Sequence, residues 1–303
     1  MNSGYGLRLA LLASACFFAV HLAAGLLLRL IAGELIRRAD RLSTQRAAKL
    51  VFLARLVPAL VAFVVVVGLC VPSFLLHEQR TEAEGIGAAC LIGALLGFAT
   101  LADGLIRGTH ALVSSSRFVR HANEGRGVVA LAGVLRPRLL VSRDVLEALT
   151  PEELEVAISH EQAHWTSRDN LKHLLVLLTP SMLPGWRGLD SLERAWRHFT
   201  EFAADDEAVS CDPQRSVALA SALVHVSRLC SSPRPALTAS LLDGCGHLEA
   251  RVSRLLTGAA AEREPQSRLP LFVAAGALLT VALPLLHPAG LLAVHDLLEK
   301  LIH

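Results

Sequence analysis

The sequence predicts a mainly α-helical membrane protein that has four transmembrane helices and a mixed α and β domain between the third and the fourth. Hydrophobic residues make up 53% of the 303-residue chain and charged residues only 18%, a composition too apolar for an ordinary soluble domain. Four apolar runs, at about 9–31, 50–76, 86–106 and 271–294, reach the ~20 residues with which an α-helix crosses a bilayer. Residues 1–106 are therefore expected to form three spans, residues 107–268 a separate domain, and residues 269–303 the fourth span with a short tail.

The first apolar run is expected to stay in the chain as an anchor. It continues for about fifteen residues past Cys16, and the apolar part of a cleaved signal is only about 7–15 residues long in total. The six cysteines are scattered without a CxxC pair, which predicts neither a disulfide framework nor a cysteine metal site. The formal net charge of +2 gives no electrostatic argument for nucleic-acid binding.

Loop charges predict the orientation in the membrane. The segment between the first two runs is rich in arginine, whereas "HEQRTEAEG", after the second run, has one arginine against three glutamates. Because positively charged loops stay in the cytoplasm, the loop at 33–49 and the domain at 107–268 are expected there, with both termini outside.

The domain begins with a predicted strand pair and continues with helices. Aliphatic and β-branched residues at 128–131 and 138–142 flank a turn that contains Gly133 and Pro137. Thr150, Pro151 and Glu153 form a capping box that begins a helix. Asp190 or Ser191 is expected to cap a second helix at about 191–210, and Asp212 with Pro213 begins a third.

"AISHEQAHWTSRDN", at 157–170, places two histidines on the first of these helices. His160 and His164 are four residues apart and lie on one face, so both imidazoles can reach one zinc ion. Glu161 follows His160 and is rotated about 100° from it around the helix axis, so it lies beside the metal. A general base for a zinc-bound water is expected in this position. The alternative is a helix with two histidines on a polar face.

A catalytic zinc needs a third protein ligand, and "HFTEFAADDEAVS" offers one. Glu201 lies 37 residues after His164 on the second predicted helix, and Asp205 follows one turn later on the same face. The alternative is a solvated acidic face, but the residues around Glu201 are too apolar for that. The two motifs together therefore favour a metal site.

Three stretches, "HEQAHWTSRDNL", "LPGW" and "ERAWRHFTEFAADDEAV", resemble the catalytic core of the BlaR/MecR-type antirepressor metalloproteases. These bacterial integral-membrane gluzincins are related to the HtpX and CAAX-prenyl proteases. The resemblance covers roughly 120–260 in motif and nearly the whole chain in layout. It implies a cytoplasmic α+β, zincin-like metalloprotease domain in a multi-pass protein of the bacterial inner membrane.

The resemblance also implies roles for individual residues. His160, His164 and Glu201 would bind Zn²⁺, and Glu161 would be the base. His198, one turn before Glu201, is a candidate to stabilise the tetrahedral intermediate, although a helix-surface histidine is the alternative. Asp205 and Asp169 are expected to hydrogen-bond to the ligand histidines and orient their imidazoles. For Asp169, capping of the next helix is an equally good alternative.

Two departures from the family limit what the resemblance implies. The chain stops shortly after the predicted fourth span, where antibiotic-sensing members carry a penicillin-binding sensor, so a β-lactam receptor role is not expected. His247 stands four residues before Arg251 with no proline after it, which sets the chain apart from the HtpX type.

The leading hypothesis is a zinc endopeptidase that cleaves a cytosolic or membrane-adjacent protein in regulated proteolysis. A protease for membrane-protein quality control and a non-catalytic signalling or scaffold subunit are the alternatives. Expected partners are the lipid bilayer, a protein substrate such as a winged-helix repressor, and a membrane sensor; direct binding of nucleic acid is not expected. The sensor is expected to contact Gly93 and Gly97, because small residues at this spacing let helices approach closely. The alternative is that the same glycines pack the chain's own helices. The strands at 127–131 or 138–142 could offer an edge to the substrate.

Overall fold

The computed structural model is mostly helical, with one small sheet. It describes residues 3–77, 87–121, 129–134, 137–183, 185–186, 188–229, 238–240 and 248–258. The predicted fourth span at 271–294 lies outside these residues.

Three long apolar helical stretches account for the first three predicted spans. Helix α1 covers Ser3–Ala39, and α4 covers Ala88–His121. Between them, α2 covers Thr44–Val65 and continues through a π-helical segment, Val66–Cys70, into α3, which covers Val71–His77. Within the described residues, the stretches Tyr5–Ala39, Thr44–Leu76 and Ala88–Val119 are long and apolar enough to cross a membrane. All three extend beyond the predicted apolar runs, because charged residues continue the helices outside the apolar part.

The π-helical segment lies directly before Pro72. Proline has no N–H to donate to the carbonyl four residues earlier, and its ring crowds that carbonyl. The backbone N–H of Val71 donates to the carbonyl of Val66, a wider i→i−5 turn that accommodates the proline without ending the helix. The second span therefore stays continuous despite Pro58 and Pro72.

Helix α4 packs closely against α1 through its glycines. A Cβ atom on Gly97 would overlap the backbone of Ser14, and one on Gly93 would lie 3.3 Å from the Cβ of Ala15. The hydroxyl of Ser14 donates to the carbonyl of Ala94 at 3.0 Å. Gly93 and Gly97 therefore serve the chain's own helix packing, and a membrane partner stays a prediction.

Three cysteines that are far apart in sequence meet in this part of the bundle. Cys70 and Cys90 are buried in one apolar cluster, and Cys16 packs against it. All three are free thiols in this structure.

The domain contains a three-stranded antiparallel sheet in the order β2-β1-β3. Strand β1 covers Val129–Ala132, β2 covers Arg138–Val141 and β3 covers Thr238–Ser240. The first two strands lie where the sequence predicts them; β3 is too short to leave a periodic signal. Because β1 pairs with a strand on each side, the expectation of a free edge at 127–131 is wrong, and within the described residues the edges belong to β2 and β3.

The remaining elements are helices. They are α5 (Arg143–Ala148), α6 (Pro151–Ser167), α7 (Asp169–Leu178), α8 (Asp190–Val209), α9 (Pro213–Leu229) and α10 (Leu248–Thr257). The predicted capping box of α6 is present: Thr150 Oγ1 accepts from Glu153 N at 3.2 Å, and Glu153 Oε2 accepts from Thr150 N at 3.0 Å. Before α9, Asp212 accepts from Gln214 N at 2.8 Å.

Helix α8 begins differently from the prediction. Leu189 occupies the cap position without a side-chain hydrogen bond, and Asp190 is the first helical residue. The cap expected at Asp190 or Ser191 is therefore wrong, because the apolar Leu189 is buried at the start of the helix. Asp190 still stabilises the helix electrostatically, because a negative charge in the first turn interacts favourably with the helix dipole.

Helix α8 lies antiparallel along the first part of α2. At one end Thr44 Oγ1 donates to Asp206 Oδ2 at 2.7 Å, and at the other Arg55 pairs with Glu193 at 3.0 Å. Between these contacts, Val51 shares an apolar cluster with residues of α1 and α8. The cluster contains Leu28, Ala32, Ala39, Ala47, Ala48, Val51, Val176, Met182, Leu189, Leu192, Trp196 and Phe199. The first two predicted spans are thus part of the packing that holds α8 in place.

Candidate metal centre

Helices α6 and α8 bring His160, His164 and Glu201 together in the interior. The three residues are 0%, 1% and 6% exposed. Nε2 of His164 lies 3.1 Å from Nε2 of His160, and the Glu201 carboxylate oxygens lie 3.6 Å from each of these nitrogens. Ligand atoms around a tetrahedral zinc, with bonds of about 2.0–2.1 Å, are separated by about 3.3 Å. The three side chains therefore have the spacing that one metal ion requires, and they form such a group within the described residues.

Two aspartates orient the imidazoles toward that common point. Asp169 Oδ2 lies 2.8 Å from Nδ1 of His164, and Asp205 Oδ1 lies 3.0 Å from Nδ1 of His160. A carboxylate beside Nδ1 favours the tautomer that carries the proton there, which leaves the lone pair on Nε2 for a metal. Two Nε2 lone pairs that face each other at 3.1 Å are favourable when a cation lies between them.

A left-handed residue places Asp169 beside His164. Arg168 has a φ of 55° and ends α6, so that α7 begins at the next residue. Asp169 is the first residue of α7 and makes no capping hydrogen bond, so its carboxylate serves His164 and Lys172. Of the two roles considered for Asp169, the contact with a candidate ligand is the one present.

Arg251, on α10, completes the polar interior, and no local sequence pattern predicts it there. Its guanidinium donates to both oxygens of Asp205, at 2.9 and 2.6 Å, and lies 2.7 Å from Glu201 Oε2. A charged guanidinium that is 3% exposed needs such carboxylate partners. The sequence does contain one indication of such a partner. Glu201 and Asp205 lie in an apolar stretch, and buried carboxylates require a nearby cation.

The ionisation of this cluster follows from these contacts. Burial alone would raise the pKa of Asp205, but Arg251 and His160 outweigh it and hold that pKa well below its usual range. Burial lowers the pKa of His164 and His160, but the neighbouring carboxylates reverse this effect, and both pKa values lie above normal. A metal must displace protons from these imidazoles, so metal affinity is expected to rise with pH.

Glu161 is fully buried and is fixed by strand β1. Its Oε2 accepts a hydrogen bond from the backbone N–H of Leu131 at 3.0 Å. The amide of Asn170 donates to the carbonyls of Leu131 and Gly133, both at 2.9 Å, which fastens the same strand to α7. One carboxylate oxygen of the candidate base is therefore anchored to the backbone of β1.

A small cavity of about 30 Å³ borders His164 and Glu201. His173, Trp196 and Arg197 also line it, and Nη2 of Arg197 lies 2.9 Å from Nε2 of His173. No sequence pattern predicts His173 beside the site. In this structure the cavity has room for water molecules but not for an extended peptide.

His198 lies on α8, and its ring packs against Phe202 with 4.1 Å between the ring centroids. Phe202 is also covered by the guanidinium of Arg254 at 4.7 Å. The proposed contact of His198 with a reaction intermediate stays a prediction.

Comparison with known proteins supports a metallopeptidase. Residues 110–232 match the family model described as Peptidase family M48, a range that includes α6 and α8. No curated protein and no solved structure matches the chain. The match supports the M48 metallopeptidase family, and the close approach of His160, His164 and Glu201 agrees with the metal dependence of that family.

Proposed function

We propose that this protein is a membrane-embedded zinc endopeptidase that cleaves a cytosolic or membrane-adjacent protein in regulated proteolysis. One observation carries the proposal: two imidazole nitrogens and a carboxylate converge within 3.6 Å of one another, with a fully buried glutamate next in sequence to the first ligand. Two histidines and one glutamate are the donor set of known catalytic zinc sites, and they leave a coordination position open.

Each residue of the cluster then has a chemical task. When bound, zinc supplies a Lewis acid that polarises the scissile carbonyl and acidifies a water molecule. Glu161 takes the proton of the attacking water and passes it to the leaving amine. Asp169 and Asp205 keep the two imidazoles in the ligating tautomer, and Arg251 neutralises the charge that Glu201 and Asp205 bring into the interior.

The closed surroundings of the cluster support regulated rather than continuous cleavage. All four central residues are at most 6% exposed, and the adjoining cavity of about 30 Å³ does not admit a peptide. Among the described residues, access to the cluster is therefore narrow, and the proposal is that a partner in the membrane or the presentation of the substrate widens it. The proposal includes a repressor-type substrate on the cytoplasmic face of the bacterial inner membrane. Reporter fusions at residues 40 and 120 test whether these residues face the cytoplasm.

The proposal is tested by replacing the base without disturbing the ligands. In Glu161→Gln the amide oxygen can still accept from Leu131 N, so folding and zinc content are expected to persist. Cleavage should fall by about 10²–10⁴-fold, the usual contribution of general acid–base catalysis. The assay measures hydrolysis of quenched-fluorescent casein by detergent-purified protein, together with zinc by elemental analysis.

Glu155→Gln is the matched control, because Glu155 is on the same helix with its side chain 70% exposed. Its cleavage rate should equal that of the wild type. Full activity of Glu161→Gln contradicts the mechanism. A zinc-loaded wild type without chelator-sensitive cleavage of any substrate favours the signalling or scaffold alternative.

A further inference from the structure

A cavity of about 410 Å³ lies between α1 and the start of α8, away from the candidate metal centre. Arg29 and Gly33 line it from α1, Trp186 from the loop before α8, and Ser191 and Arg194 from the first turns of α8. Its volume is in the range of small-molecule binding sites.

The cavity lies where α1 changes from a lipid-facing to a water-facing helix. Leu27, Leu30 and Ile31 are 65%, 81% and 57% exposed, as expected for side chains in contact with lipid. One turn later Glu34 and Arg37 are exposed and pair with each other. Arg29 and Gly33 therefore lie at the boundary between acyl chains and head groups, where arginine and tryptophan are enriched.

The side chains of the cavity are arranged to receive an anion. The guanidinium of Arg29 lies 5.1 Å from the ring centroid of Trp186 and donates to the carbonyl of Gly188 at 3.0 Å. These contacts orient Arg29 but leave most of its five donors available. Arg194 is exposed, and among the described residues it forms no ion pair. Among the described residues of the lining, Asp190 is the one acidic residue, and it also acts electrostatically on the buried Arg55. Two described cations, Arg29 and Arg194, therefore face one carboxylate.

We infer that this cavity binds the phosphate group of an anionic membrane phospholipid. Arg29 and Arg194 form charge-assisted hydrogen bonds with the phosphate oxygens, and the Ser191 hydroxyl supplies a further donor. The indole of Trp186, which is 40% exposed, packs on the glycerol region. A head group with an ammonium ion would bring a cation toward two arginines, so phosphatidylglycerol is favoured over phosphatidylcholine.

This inference does not depend on proteolysis. Arg194 and Ser191 lie on the helix that carries Glu201, so a bound lipid contacts the same element that supplies the candidate ligand. Lipid binding would consequently help to hold α8 at the membrane surface whether or not the protein cleaves a substrate.

Native mass spectrometry of the full-length protein, titrated with dioctanoyl-phosphatidylglycerol or dioctanoyl-phosphatidylcholine, tests the inference. We expect the wild type to bind phosphatidylglycerol at least tenfold more tightly than phosphatidylcholine. Arg194→Gln and the double variant Arg29→Gln/Arg194→Gln should each lower that affinity about tenfold or more, because a charge-assisted hydrogen bond is lost. Arg37→Gln/Arg38→Gln is the control, since these arginines lie outside the cavity and pair with Glu34.

Three results would overturn the inference. They are equal affinity for the two lipids, unchanged phosphatidylglycerol binding by Arg194→Gln, and an equal loss in the control variant. Inorganic phosphate is added as a competitor: phosphatidylglycerol should stay bound at millimolar phosphate, and complete displacement would identify a free-phosphate site instead. The exposed position of Arg194 keeps the test valid even if Arg29→Gln does not fold.

Discussion

Replacing Arg55 with methionine should destabilise the protein by about 3–5 kcal/mol at pH 7. Nε and Nη2 of Arg55 lie 3.1 and 3.0 Å from the same oxygen of Glu193, and Arg55 is 2% exposed. At 3.0 Å and an effective dielectric constant near 20, the direct attraction is about 5.5 kcal/mol. Part of this attraction is offset in the wild type by the cost of removing both charges from water. Removing one partner of a buried pair leaves the other charge uncompensated and typically costs about 3–5 kcal/mol, which sets the expected magnitude.

Equilibrium unfolding in detergent micelles measures the effect, with the fluorescence of the buried Trp196 as the signal. The double variant Arg55→Met/Glu193→Leu should recover most of the stability, because an apolar pair of similar size avoids desolvating either charge. Arg37→Met, on an exposed arginine, is the control and should change stability by less than about 0.5 kcal/mol. The reasoning is refuted if Arg55→Met costs less than about 1 kcal/mol, or if the double variant is no more stable than the single one.

Three further predictions concern the domain. Burial raises the pKa of Glu153, but hydrogen bonds from Ser221, the Thr150 backbone and His225 outweigh it, so the pKa lies below its usual value. Because glutamine also completes a capping box, Glu153→Gln loses only the charge in the first turn and should cost no more than about 1 kcal/mol at pH 7. The difference should shrink as the pH falls below about 4, which thermal unfolding at pH 7 and at about pH 3.5 measures. A zinc chelator should lower the melting temperature and added zinc should restore it, whereas His164→Ala should show neither response in the same scan. Arg251→Gln should weaken zinc binding about 10–100-fold in a competition titration, and unchanged affinity would show that Arg251 serves folding alone.

Local patterns made the ligand helices predictable from sequence. The capping residues Thr150 and Glu153 and the spacing of His160 and His164 are read within one helix, where the i, i+4 geometry fixes which side chains share a face. Glu201 and Asp205 follow the same rule on α8. For these residues the sequence and the structure agree because the relevant contacts are set by helical periodicity.

Contacts between distant elements could not be predicted in this way. Arg251 is 46 residues from Asp205, and Arg55 is 138 residues from Glu193. Only the packing of α10 and α2 against α8 brings those charges together. Periodicity likewise could not decide between the two roles of Gly93 and Gly97, because small residues permit close approach by any helix, whether it belongs to the same chain or to another.

The packing of α8 along α2 has a consequence for the order in which the protein matures. Helices α1 and α2 leave the ribosome long before α8, and they carry part of the apolar surface on which Leu192, Trp196 and Phe199 are buried. Synthesised alone, residues 107–268 would expose those three side chains to water and leave Glu193 without Arg55. The position of α8, which carries Glu201 toward His160 and His164, therefore depends on its packing against α1 and α2. We therefore expect residues 107–268, produced without α1 and α2, to lose the close approach of His160, His164 and Glu201.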